Sequence, residues 1–159
     1  MRIFLKPGSG YFLLAIFFLS CNMVKEDLAA NEGGNPIEGS WKLITGTLIE
    51  KGDTVVTDYT KNVSFIKIIN DDHFAFMHHD LKKGKDSPAV FSSGGGSYTL
   101  KDSSYTEHLE YCTAREWEGH DFTFTVDVRE DTLIQSGIER IDSLGINRLN
   151  IEKYIRVKK

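Results

Sequence analysis

From Ile37 onward the chain is a succession of short runs rich in β-branched and aromatic residues, each ended by a turn signal. Such runs fall at 41–49, 54–59, 63–69, 73–79, 97–100, 105–112, 122–128, 132–138 and 148–157. The first Asn of Asn70-Asp71-Asp72 follows one run and His73 opens the next, which predicts a tight hairpin. Residues 81–93 form the most loop-like stretch, and Gly94-Gly95-Gly96 predicts a corner or bulge rather than a phosphate loop, because no helix follows it. No apolar stripe keeps a helical period over a useful length, though a short helix at 139–144 fits the pattern. The reading is all-β: a single antiparallel domain of about 8–10 short strands, a sandwich or barrel.

The first twenty residues carry Arg2 and Lys6, no acid, and the apolar run YFLLAIFFL from Tyr11 to Leu19. A positive start, a short apolar stretch and a small residue before the cut are the marks of a secretory signal. The run is too short for a spanning helix, which needs about 20 residues. Phe18-Leu19-Ser20-Cys21 resembles a bacterial lipobox, which implies that Cys21 is acylated and becomes the mature N-terminus. The expected organisation is a signal peptide at 1–20, a lipidated Cys and flexible tether at 21–36, and a folded domain at 37–159. Lys25-Glu26-Asp27 resembles the surface-export signal of some Gram-negative lipoproteins; a solvated linker is the competing reading. The implied address is the cell envelope, with the protein anchored to the outer membrane through its N-terminal lipid and facing either side.

Loss of residues 1–20 lowers the 19 basic residues to 17 against 23 acidic ones, taking the formal charge from −4 to −6. An acidic chain without a Lys/Arg cluster is a poor nucleic-acid partner. Cys112 is the only other cysteine, so a lipidated Cys21 leaves no internal disulfide, and stability must come from a packed core.

Gly39-Ser40-Trp41 opens the first strand and Arg156 lies in the last. This arrangement resembles the lipocalin and calycin superfamily. The strings His73-Phe74-Ala75-Phe76, Gly94-Gly95-Gly96-Ser97-Tyr98, 105–111 and 131–137 are similar to bacterial lipocalin-like lipoproteins of unknown function. The resemblance spans about residues 37–159 and implies a lipocalin-like β-barrel in which Trp41 closes one end and Arg156 stacks on it. Such a stack is worth about 0.5–2 kcal/mol. The family supplies a fold and an address, but no reaction.

Alternation along strands then assigns faces. Tyr105, Glu107, Leu109 and Tyr111 share the more apolar face of their run, and Thr106, His108, Glu110 and Cys112 share the other. Phe74, Phe76, His78 and Asp80 likewise share a face. The expectation is an aromatic cavity bounded by Phe74, Phe76, Tyr105 and Tyr111, with Glu107 and His78 as its polar groups and Cys112 facing out as a plain thiol. A buried Glu107 needs a partner: Arg156, His78, a Tyr hydroxyl, water or a ligand. His78 and His79 point to opposite faces, so no metal site is expected. No catalytic motif is present, and neither an enzymatic activity nor a cofactor is expected. The leading functional reading is a lipid-anchored barrel that binds a small hydrophobic or amphipathic ligand. A structural or protein-interaction module of an envelope complex, with a filled barrel, is the alternative, and an enzyme on the same barrel is a third. No feature of the sequence names a protein partner.

Overall fold

The structure, a computed structural model, describes residues 34–86 and 88–158. The signal peptide, Cys21 and most of the tether lie outside the described residues.

Nine strands form one antiparallel sheet: β1 Gly39–Glu50, β2 Asp53–Asp58, β3 Val63–Ile69, β4 His73–Asp80, β5 Phe91–Lys101, β6 Ser104–Cys112, β7 His120–Arg129, β8 Thr132–Ile141 and β9 Ile146–Arg156. Each strand from β3 to β9 pairs with the next, and β1 pairs with both β9 and β3, which closes an eight-stranded barrel. The extra strand, β2, is a hairpin partner of β1. Residues 39–42 of β1 pair with β3, whereas residues 45–50 pair with β2 on that same edge. β1 is long enough to serve both partners.

The turns follow from local chemistry. Lys51-Gly52, between β1 and β2, has positive φ at both residues, as a two-residue hairpin requires. Between β3 and β4, Oδ1 of Asn70 accepts the backbone N–H of Asp72 at 3.1 Å and of His73 at 2.6 Å. β5 starts at Phe91, so the loop expected over 81–93 ends earlier and the three glycines lie within a strand. The helix expected at 139–144 gives way to the end of β8 and a single 3-10 turn, Asp142–Leu144. Glu139, Arg140 and Ile141 continue the β8–β9 ladder, whose hydrogen bonds a helix would forfeit.

Two bulges set which residues face inward. In β1 the register shifts between Leu43 and Thr45, so Trp41 and Leu43 face the interior below the bulge and Gly46 and Leu48 above it. In β6 Gly96 pairs with Leu109 and Gly95 with Tyr111, leaving Glu110 as the extra residue. The glycines permit this close approach: a Cβ on Gly96 would sit 2.0 Å from the carbonyl oxygen of His108. A bulge reverses the parity of everything beyond it.

One end of the barrel is sealed. The indole of Trp41 is fully buried, and its Nε1 donates to the carbonyl of Ile37 at 2.7 Å. The Arg156 guanidinium lies 4.1 Å from the Trp41 ring centroid and donates to the carbonyls of Glu38 at 2.6 Å and Pro36 at 3.0 Å. Gly39, at φ +134°, leaves room for it, since a Cβ there would stand 2.6 Å from Nη1 of Arg156. Leu43, Ile69, Phe74, Tyr98, Tyr105, Leu133 and Tyr154 pack with Trp41 into the core.

Candidate functional site

Beyond that packed end the barrel encloses a cavity of about 220 Å³. Its wall is largely aromatic, with Tyr59, Phe65, Phe76, Trp117, Phe122 and Phe124 contributing. Tyr59 stands edge-on to Phe65 at 5.9 Å between ring centres, and Phe65 stacks on Phe76 at 5.7 Å. Trp117 comes from the short 3-10 turn between β6 and β7, and Arg148 lies over its ring at 5.2 Å.

Polar side chains enter this aromatic space from four strands. Lys67 on β3 is 3 % exposed and forms an ion pair with Glu107 on β6. Its Nζ also donates to Oε1 of Gln135 on β8 at 2.8 Å. The same ammonium lies 5.2–5.8 Å from the ring centres of Tyr105, Phe74 and Tyr154. A buried lysine is costly unless its charge is answered, and here a carboxylate, an amide and three ring faces answer it. Farther along β8, Glu139 accepts from Nε of Arg148 at 2.7 Å and from Nδ2 of Asn150 at 2.8 Å. Tyr154 donates its hydroxyl to Oε2 of Glu152 at 2.7 Å.

These surroundings change the acid–base character of several groups. Burial raises the Glu152 carboxyl above its ordinary range; the Lys67 charge works against that rise, while the carboxylates of Glu107 and Glu139 add to it. The Tyr154 and Tyr105 phenols are pushed far up, first by burial and then by Glu152 and Glu107 respectively, so both stay protonated donors. Burial lowers the His78 imidazole, with His79 adding to the effect, and keeps it neutral.

The expected site residues scatter more than alternation suggested. Glu107 and Phe76 line the cavity. Phe74 and Tyr105 are buried in the packed end beneath it, and the Tyr105 hydroxyl has no hydrogen-bond partner among the described residues. His78 packs against Tyr59 and Phe65 at 5.5 Å from each, beside the lining rather than in it, and its Nε2 is also unpartnered. Tyr111 is 67 % exposed on the outside of the barrel, and Cys112 lines the cavity. Both corrections have one cause, the extra residue Glu110, which turns the last two residues of β6 over. Glu107 takes its cation from Lys67, and Arg156 spends its donors on backbone carbonyls at the sealed end.

Lys67, Gln135, Glu139, Arg148, Asn150 and Glu152 were missed. For β9 a signal existed: alternation puts Tyr154 on the face of Arg156, and stepping back by twos from it gives Glu152, Asn150 and Arg148. For Lys67 it did not, because VSFIKII is apolar on both faces. Among the described residues no three His, Cys, Asp or Glu side chains converge as a metal set. The chain matches no protein-family model, and no curated protein matches it in sequence.

Proposed function

We propose that the chain is a lipid-anchored protein of the cell envelope whose barrel binds a small, partly apolar molecule. The observation that carries this reading is the internal cavity, aromatic in its wall and polar in its depth. Binding sites of this kind are concave and mostly apolar, with a few placed polar groups that fix orientation. At about 220 Å³ the cavity lies below the ~300–1,000 Å³ usual for drug-sized ligands, so the guest is small. Lys67 and Arg148 are each committed to a carboxylate, so the polar layer of the cavity is held in place without a guest. The cavity weighs against the alternative of a filled barrel acting purely as a structural or interaction module.

The anchor and the cargo are tested separately. Cys21→Ser is expected to move the protein from the detergent phase into the soluble fraction and to abolish palmitate labelling; persistence of both would place the anchor elsewhere. Denaturing full-length protein purified from its own membrane is expected to release a small molecule that a protein-free preparation lacks. A barrel that releases nothing would favour the interaction-module reading.

A further inference from the structure

The hydrogen-bonding balance deep in the cavity is one-sided. Lys67 is paired with Glu107 and Arg148 with Glu139, which leaves Glu152 as the carboxyl with no cation within ion-pairing distance among the described residues. Tyr154 occupies only Oε2 of Glu152, so Oε1 accepts no hydrogen bond from the described residues. Two residues earlier on the same inward face, Asn150 is 8 % exposed; its amide nitrogen is spent on Glu139 and its Oδ1 accepts nothing from the described residues. Glu152 and Asn150 on β9 therefore turn two acceptor atoms, without a donor from the described residues, toward one cavity. These oxygens open onto the cavity, so a guest that brings N–H groups can take them, and a carboxylate without a paired cation favours a guest that carries a positive charge. Around them stand Tyr59, Phe65, Phe76, Trp117 and Phe122, whose area favours an apolar body.

We propose that the guest is a small organic cation, an amine on an aromatic or short aliphatic body, whose ammonium is held by Oε1 of Glu152 with Oδ1 of Asn150 as a second acceptor. This rests on the reading of the barrel as a binding protein and names the class of its ligand. It follows that binding is linked to pH. The groups facing Glu152 are Lys67 on β3, Tyr105 and Glu107 on β6, and Glu139 on β8. Arg148 and Tyr154 on β9, with Tyr59 after β2, complete the set. The carboxyl is raised in the empty barrel, chiefly by burial, so its protonated form is favoured there. The stability this gives is full below the ordinary Glu range and is lost as pH rises through the raised value. An ammonium guest replaces that proton, so its affinity rises over the same interval; one proton is released per guest below the raised value and none well above it.

The test uses full-length protein in detergent micelles, with matched micelle blanks, and three probes of one shape: 2-phenylethylamine, 2-phenylethanol and phenylacetate. The amine, with a pKa near the ~10 of a lysine side chain, stays cationic from pH 5 to 8. Calorimetry is expected to show the amine binding at least about 10-fold more tightly than the alcohol at pH 8, with phenylacetate weakest. The preference is expected to shrink toward pH 5, and Glu152→Gln is expected to remove it while the alcohol still binds. Equal binding of amine and alcohol at every pH would overturn the cation assignment and leave the binding cavity standing. Failure of all three probes to bind would overturn both. The wild-type pH series decides the matter even if Glu152→Gln does not fold.

Discussion

Lys67→Ala is expected to destabilise the barrel by about 3–5 kcal/mol, the cost of leaving one member of a buried ion pair alone. The carboxylate left behind, Glu107, is 8 % exposed, and its nearest remaining donor is the Gln135 amide at 3.5 Å. The substitution also strips the cation from three aromatic faces. Removing the whole pair should behave differently. In Lys67→Met/Glu107→Leu both desolvation costs disappear together, and buried pairs replaced by apolar side chains are often neutral or stabilising. Urea unfolding should therefore place the double variant within about 2 kcal/mol of wild type and well above the single one. A single variant that loses under about 1 kcal/mol would mean that Lys67 reaches solvent in solution.

The second large effect is at the sealed end. Trp41→Ala is expected to cost about 3–5 kcal/mol, the range for a large aromatic removed from a core. The indole fills the space under Ile37, satisfies that residue's carbonyl and carries the Arg156 guanidinium on its face. Arg156→Ala should cost less, because the stack is worth about 0.5–2 kcal/mol and the two carbonyls it serves lie near solvent. Gly39→Ala should fall between them, at about 1–3 kcal/mol, since a Cβ at φ +134° meets the guanidinium at 2.6 Å. If Trp41→Ala and Arg156→Ala both unfold at the wild-type urea midpoint, the plug has no energetic role.

The architecture was legible because it is written in periods. Runs of alternating residues separated by Gly, Asn and Asp predict an antiparallel β-domain, and G-x-W with a late Arg points to the end at which Arg156 stacks on Trp41. The turn chemistry at Asn70 and Lys51-Gly52 agrees with it residue by residue. The cavity was less legible, for two physical reasons. Alternation is a local rule, and one extra residue at Glu110 or at the β1 bulge inverts it for the rest of the strand. Gly94-Gly95-Gly96 signalled a bulge, but not that the extra residue would fall on the strand opposite. The second reason is that buried charge contradicts the pattern used to find burial. Lys67 sits between Phe65 and Ile69 at i±2, and the competing face of β3 offers Ile66 and Ile68. Only the closure of the barrel, which brings β3, β6 and β8 together around Lys67, shows that its charge is answered from strands remote in sequence.

That closure also separates two roles that the sequence reading combined. The aromatics Phe74 and Tyr105 hold the barrel shut, whereas Phe65, Phe76, Trp117 and Phe122 stand free to contact a guest. Cys112, expected on the outer face, instead offers a route to change the volume of the cavity without touching its polar layer. Native mass spectrometry of full-length wild type and Cys112→Phe, each extracted from its own membrane, is the most direct test of cargo binding. The account predicts that wild type carries a small non-covalent mass beyond its lipid and that Cys112→Phe keeps the lipid, stays folded and loses that mass. Wild type carrying only its lipid, or a folded Cys112→Phe retaining the same extra mass, would contradict it.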